Sequence, residues 1–257
     1  MSFTIDYKDK VVLVTGVSSG IGLGTACQFA RAGAHVAGCS RKASGDKEAV
    51  AFRKAVEDAG VQAFYKQTDV TRPEELEELV EGTIRTFGRL DILVSSAGVN
   101  VFEGAEGCTE ERWQYNLDLN LAAHWRLAKL CKPYLEQSGA GVILLMTSNH
   151  AFGTIPGCFP YSVTKTAITG LVRNLAIEWG PAIRTVGVAP GFIDTDMTSV
   201  LPENAKNAML STIPMGHPGA PEDVAQAVAF FARPESAYIY ASTWLLLWLI
   251  LSAAQQS

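Results

Sequence analysis

Cysteine and histidine are scarce and scattered. The five cysteines stand at positions 27, 39, 108, 131 and 158, and the four histidines form no set with them. Without a Cys-x-x-Cys or Cys/His cluster no metal site is expected, and an odd cysteine count argues against a disulfide framework. The expected compartment is therefore reducing, the cytoplasm. Charge is sparse too. Only 18% of residues are charged and the net charge is −5, which offers no basic surface for nucleic acid. The first ten residues contain no apolar run suited to a signal peptide. Internal repeats, low-complexity tracts and linkers are missing, so residues 1–257 read as a single domain. Apolar residues, in contrast, make up 48% of the chain, enough for a sizeable core. The longest uncharged apolar stretch lies at the far end, residues 237–254.

The pattern is an alternation of short apolar runs with amphipathic stretches. Strands are expected near 11–14, 34–39, 62–67, 90–94, 142–147, 185–188 and 242–247. Helices are expected near 21–32, 47–59, 73–87, 110–135, 161–179 and 221–232. That order predicts an α/β fold: a Rossmann-type, doubly wound parallel sheet of about seven strands, with helices on both faces. Residues 197–220 carry Pro202, Pro214, Gly216, Pro218 and Gly219 and read as a long irregular segment. Its part from about 196 to 215 is expected to be a mobile loop over the substrate.

The first strand runs straight into Thr15-Gly16-Val17-Ser18-Ser19-Gly20-Ile21-Gly22. A strand, a glycine-rich turn and a helix N-terminus can hold a pyrophosphate, because backbone N–H groups and the helix dipole favour an anion there. A tight turn without a ligand is the plainer alternative. The second strand ends in Ser40-Arg41-Lys42. An acid at that position binds the ribose 2′-hydroxyl of NAD, whereas a cation accommodates the 2′-phosphate of NADP. The acid is missing and Arg41 is present, so NADP(H) is favoured over NAD(H), with a solvated basic turn as the alternative. Asp69 suits an adenine amine, the cap of the helix near Pro73, or both at once. Asn120 falls within a mostly apolar helical stretch, as a structural polar residue or as an interruption that binds water.

Tyr161 and Lys165 are four residues apart, and on a helix they share one face. Ser148 follows the apolar run Val142–Thr147. A strand end beside a helix start is where open α/β sheets place their chemistry. His150 and Cys158, which flank this region, read as pocket wall.

With these residues in place, the chain resembles the short-chain dehydrogenase/reductase family over about residues 8–240. The matches are Thr15-Gly16-x-x-x-Gly20-Ile21-Gly22, Asp69, Asn120, Ser148, Tyr161-x-x-x-Lys165 and Pro190-Gly191. Within the family, residues 191–198 and Ile213-Pro214-Met215-Gly216 look most like 3-oxoacyl-[acyl-carrier-protein] reductases. The resemblance implies that Tyr161 is the general acid in ketone reduction and the base in alcohol oxidation. It implies that Lys165 lowers the tyrosine pKa and bonds the nicotinamide ribose. Ser148 would donate to the substrate oxygen, and Asn120 would hold a water in a relay to Lys165. Gly16, Ser18, Ser19, Gly20, Ile21 and Gly22 would line the pyrophosphate and adenosine ribose. Ser40 and Arg41 would face the 2′-phosphate, and Asp69 and Val70 the adenine. Ala97, Gly98, Pro190, Gly191, Ile193 and Thr195, with Tyr161 and Lys165, would complete the cofactor site. A homo-oligomer, dimer or tetramer, is the implied assembly.

Three departures from the family pattern stand out. Its Asn-Asn-Ala-Gly motif reads Ser95-Ser96-Ala97-Gly98 here, so the shorter Ser95 would need a water to make the usual bridge. Its Arg-Val-Asn before Pro-Gly reads Arg184-Thr185-Val186. Its usual C-terminal Val-Asp-Gly-Gly is replaced by the Trp-Leu-rich run from Ser242 to Leu251. That run reads as a core strand followed by an interface tail, as a membrane anchor, or as an altered terminus. Phe152, Ile155, Phe159 and Met197 would wall an apolar substrate pocket. The expected activity is hydride transfer between NADP(H) and a ketone or secondary alcohol, a 3-oxoacyl thioester being favoured. An NAD(P)-dependent dehydrogenase of a sugar, polyol or steroid alcohol is the enzymatic alternative. A non-catalytic nucleotide-binding scaffold is the alternative of another class.

Overall fold

The computed structural model describes residues 5–199 and 202–246. Seven strands form one parallel sheet in the order β3-β2-β1-β4-β5-β6-β7. They are β1 (Val11–Thr15), β2 (His35–Ser40), β3 (Ala63–Gln67), β4 (Ile92–Ser95), β5 (Gly141–Met146), β6 (Ile183–Pro190) and β7 (Thr243–Leu246). The helices are α1 (Gly20–Arg31), α2 (Lys47–Glu57), α3 (Pro73–Phe87), α4 (Glu110–Leu117), α5 (Ala123–Gln137), α6 (Tyr161–Trp179), α7 (Asp196–Ser199), α8 (Glu203–Leu210) and α9 (Pro221–Ala232).

Strand β1 shows why the sheet forms. Val12 and Val14 pack on one face with Phe29 and Val228. Val11 and Leu13 pack on the other with Leu93 and Ile143. A strand apolar on both faces has to be covered twice, which is the parallel-sheet condition. Leu13 is fully buried, and truncating such a residue to alanine typically costs about 2–5 kcal/mol. The chain winds outward from β1 through β2 and β3. It then returns to β4 on the other side of β1 and continues to β7. The strand order reverses between β1 and β4, and a crevice opens beyond their carboxyl ends.

Three sequence expectations change. The helix expected over 110–135 is not uniform: a π-helical turn, Asp118–Ala122, separates α4 from α5. The segment expected to be an irregular, mobile loop over 196–215 carries α7 and α8. Pro202 is the N-cap residue of α8, so this proline starts a helix instead of preventing one. Strand β6 runs from Ile183 to Pro190, well beyond the expected 185–188. At the far end, β7 pairs in parallel with β6, in agreement with a core strand there. The remainder of the expected apolar tail, residues 247–254, lies outside the described residues. No described helix is long and apolar enough to cross a membrane.

Candidate active site

The crevice is a cleft of about 1100 Å³ that runs from Arg41 and Lys42 at one end to Ile155, Met209 and Thr212 at the other. Gly16, Ser18, Ser19, Gly20, Ile21, Gly22, Ser40, Arg41, Asp69, Val70, Ala97, Gly98, Pro190, Gly191, Ile193 and Thr195 all line it, as do Ser148, Tyr161 and Lys165. Asn120 does not; it lies fully buried behind the wall.

The turn before α1 is shaped for a close ligand. Gly16 and Gly20 hold φ of +79° and +55°, the left-handed region that favours glycine. A Cβ on Gly22 would lie 2.2 Å from the Gly16 carbonyl oxygen. Ser19, the N-cap residue of α1, makes no side-chain cap hydrogen bond. The first N–H groups of the helix therefore remain to receive an anion. Opposite, Thr15 Oγ1 accepts the backbone N–H groups of Ser96 and Ala97, each at 2.9 Å. This pins the end of β4 against the end of β1. These residues fit a nicotinamide dinucleotide, with the diphosphate on the α1 turn.

At the adenosine end, Asp69 does not cap α3, whose N-cap residue is Arg72. Its carboxylate accepts from Thr71 N and Thr71 Oγ1 at 3.0 and 2.7 Å. Burial pushes the Asp69 carboxyl up, but the Thr71 bonds and the cations Arg41 and Arg72 outweigh it and hold the group below its ordinary range. The Ser40–Lys42 turn is braced from β3. Tyr65 donates to Lys42 O at 2.6 Å, and the Gln67 amide donates to Arg41 O at 3.2 Å.

At the reacting end, Ser148 follows β5 and lines the cleft together with Tyr161, the first residue of α6. Ser148 Oγ donates to Asn149 Oδ1 at 3.1 Å and accepts from His150 N at 3.2 Å. Lys165 Nζ donates to Met146 O at 3.1 Å and lies 5.5 Å from the centre of the Tyr161 ring. Burial drives both groups toward neutrality: the Tyr161 phenol rises to about 12 and the Lys165 amine falls to about 7. Burial sets the phenol here, and the amine lies against the ring.

Asn120 sits within the π-helical turn. Its side chain is committed to protein partners: Nδ2 donates to Val99 O at 3.0 Å and Asn116 Oδ1 at 2.8 Å, and Oδ1 accepts from Val99 N at 3.1 Å. This is the structural use, and the interruption is the π-helical turn that contains Asn120. Gly98 shields it from the cleft. A Cβ there would stand 2.7 Å from Asn120 Oδ1 and 3.5 Å from Lys165 Nζ. Asn116, not picked out from the sequence, donates onward to Pro160 O at 3.1 Å and so links the π turn to the start of α6. Its position four residues before Asn120 was the available signal.

His124 was also missed. It is buried, and its Nδ1 shares a 2.7 Å hydrogen bond with Ser95 Oγ. Ser95 thus has an imidazole partner. Nε2 meets no partner among the described residues. Burial and the positive Lys165 nearby hold this imidazole down at about 3. The substrate wall differs from expectation as well. Ile155 lines the cleft, but Phe152 points outward and Phe159 stacks on Trp113 at 5.4 Å. The Met197 side chain lies outside the described residues. Phe102, Tyr115, Leu119, Phe192 and Met209 supply the apolar surface.

A family model described as enoyl-(acyl carrier protein) reductase matches residues 16–246. Human dehydrogenase/reductase SDR family member 4 is 37% identical over 239 residues, covering 91% of this chain and 85% of the relative. The 3-oxoacyl-[acyl-carrier-protein] reductase FabG of Thermotoga maritima is 36% identical over 232 residues, covering 90% and 93%. Among solved structures, a 7α-hydroxysteroid dehydrogenase complexed with NADH and 7-oxo glycochenodeoxycholic acid is 31% identical. It superposes with a TM-score of 0.89 over 95% of this chain and 94% of that one. A seven-stranded parallel sheet, a glycine turn under α1, the Ser148, Tyr161 and Lys165 cluster and these likenesses agree: the chain belongs to the short-chain dehydrogenase/reductase family of oxidoreductases.

Proposed function

We propose that this oxidoreductase reduces a ketone with NADPH, and that a 3-oxoacyl thioester is its preferred class of substrate. The observation that carries the reading is one cleft with two unlike ends. Arg41, next to the end of β2 where no acid stands in the sequence, closes one end. Ser148 and Tyr161 line the other, among apolar residues. A bound nicotinamide cofactor supplies the hydride. Ser148 donates to the substrate oxygen as negative charge develops there. Tyr161, protonated at neutral pH, gives its proton to that oxygen. Lys165 orients the nicotinamide ribose. The apolar walls from Phe102, Leu119, Phe192 and Met209 suit an acyl chain better than a sugar.

A steroid alcohol is the second reading, favoured by the likeness to the 7α-hydroxysteroid dehydrogenase. We further propose a cytoplasmic homo-oligomer. The exposed aromatic residues Tyr238, Tyr240 and Trp244 at and before β7 support a subunit contact there. The deciding experiment follows reduced-nicotinamide absorbance with 3-oxoacyl thioesters, simple ketones and hydroxysteroids, each with both cofactors. Faster turnover of a steroid than of any 3-oxoacyl thioester would replace the first reading by the second.

A further inference from the structure

Three rings meet beside the reacting hydroxyl. Phe102 and Tyr161 are edge to face at 5.5 Å, Phe102 and His150 at 5.9 Å, and His150 and Tyr161 at 6.1 Å. Of these, His150 alone brings nitrogen to the substrate wall. It lines the cleft, and its own backbone N–H is bonded to Ser148 Oγ. Burial lowers its affinity for a proton, so the ring is neutral at neutral pH. Which nitrogen carries the hydrogen then decides what the ring offers.

Nδ1 lies 3.3 Å from Thr154 Oγ1. A ring nitrogen lone pair is a good acceptor, and a hydroxyl that donates to it leaves the hydrogen of the neutral ring on Nε2.

We infer that His150 is a specificity residue that donates Nε2–H to a second oxygen of the substrate, one close to the carbonyl held by Ser148 and Tyr161. The chemical class is a ketone with another acceptor one methylene away, as in a 3-oxoester or 3-oxoacyl thioester. The inference rests on the proposed ketone reduction and gives its substrate preference a physical cause. Phe102, Leu119 and Phe192 on the same wall carry no side-chain donor, whereas Asn100, Tyr115, Asn149 and Thr212 also bring polar groups to the cleft.

The test compares ethyl acetoacetate with 2-heptanone, a chain of equal length without the ester oxygens. kcat/KM is measured for each at saturating cofactor. The readout is the ratio of the two values, in which the intrinsic reactivity of each ketone cancels between variants. His150→Phe keeps an aromatic edge but no donor and is expected to lower the ratio about tenfold, the worth of one hydrogen bond. His150→Gln restores a donor and should recover most of it. Thr154→Val, which frees the tautomer, should lose part of it. Nitrogen chemical shifts of the labelled imidazole should show the hydrogen on Nε2. A ratio unmoved by His150→Phe, or a hydrogen found on Nδ1, overturns the inference. An unmoved ratio leaves the ketone reductase reading intact. Wild-type protein that oxidises hydroxysteroids and ignores 3-oxoesters defeats the substrate reading itself.

Discussion

Lys165→Met should make the protein more stable as it makes it inactive. The amine is almost fully buried, and its one hydrogen bond among the described residues is to the Met146 carbonyl. Burial lowers its pKa from 10.5 to about 7. Between those values the unfolded chain binds a proton at this position that the folded chain does not. The unfolding free energy therefore rises with pH across that window, and this contribution is lost as pH falls from 10.5 to 7. Below pH 7 both states are charged and the folded state bears the whole cost. At about 1.4 kcal/mol per pH unit the window amounts to about 5 kcal/mol, an upper bound because local relaxation and water entry reduce it. Urea titrations of the cofactor-free protein from pH 6 to 10 read this directly. Wild-type stability should climb toward that of Lys165→Met as pH rises, with the variant ahead at pH 7. Parallel curves, or a variant less stable at pH 7, would refute the reasoning. Ketone reduction by the variant should fall about hundredfold or more.

Tyr161→Phe should abolish reduction and leave cofactor affinity within a few-fold; retained turnover would remove Tyr161 from its role. With its phenol at about 12, wild-type Tyr161 stays protonated through pH 9 in the free enzyme. kcat/KM for alcohol oxidation should accordingly climb with pH through that range, while the Tyr161 contribution to reduction stays flat. Arg41→Ala should shrink the preference for NADPH over NADH by about tenfold, the loss of a charge-assisted bond; direct titration with both cofactors would expose equal wild-type affinities, which defeat the argument. Ser95→Ala and His124→Leu should be coupled by about 1 kcal/mol, so that the double variant is less unstable than the sum of the two; additive unfolding energies would mean that the Ser95–His124 bond carries nothing.

The alternation of strands and helices was legible because a buried parallel strand must be apolar on both faces. Val11 to Val14 could be little else. The cofactor turn was equally open to reading, since Gly16, Gly20 and Gly22 are each demanded by local backbone geometry. Harder to see were features set by tertiary contact. Helical periodicity spans 110–135 almost without fault, and the π turn at Asp118–Ala122 changes the winding without changing the residue types. Prolines 202 and 214 look like breaks in a loop until α8 forms between them. Its residues Ala208, Met209 and Leu210 favour a helix by propensity. Phe159 and Ile155 look alike in sequence, but Trp113 draws Phe159 away from the cleft.

Ser95 is the instructive case. Read alone, it is a shortened residue in a supporting motif, and it suggests a weakened site. His124 comes 29 positions later, where nothing in the sequence ties it to Ser95. Joined, the two link the end of β4, which carries Ala97 and Gly98 into the cleft, to the first turn of α5, directly after Asn120. Asn116 and Asn120 extend the same support to Val99 and to Pro160 before Tyr161. The Ser95–His124 bond thus sets a second buried base near Lys165. His124 refuses a proton down to about 3, so its contribution to stability falls away as pH drops from 6.5 toward that value. Lys165 loses its own contribution between 10.5 and 7. Acid sensitivity below pH 6.5 should thus fall largely to His124, with smaller shares from His150 and Asp69, and His124→Leu should reduce it while leaving the alkaline slope of Lys165 in place.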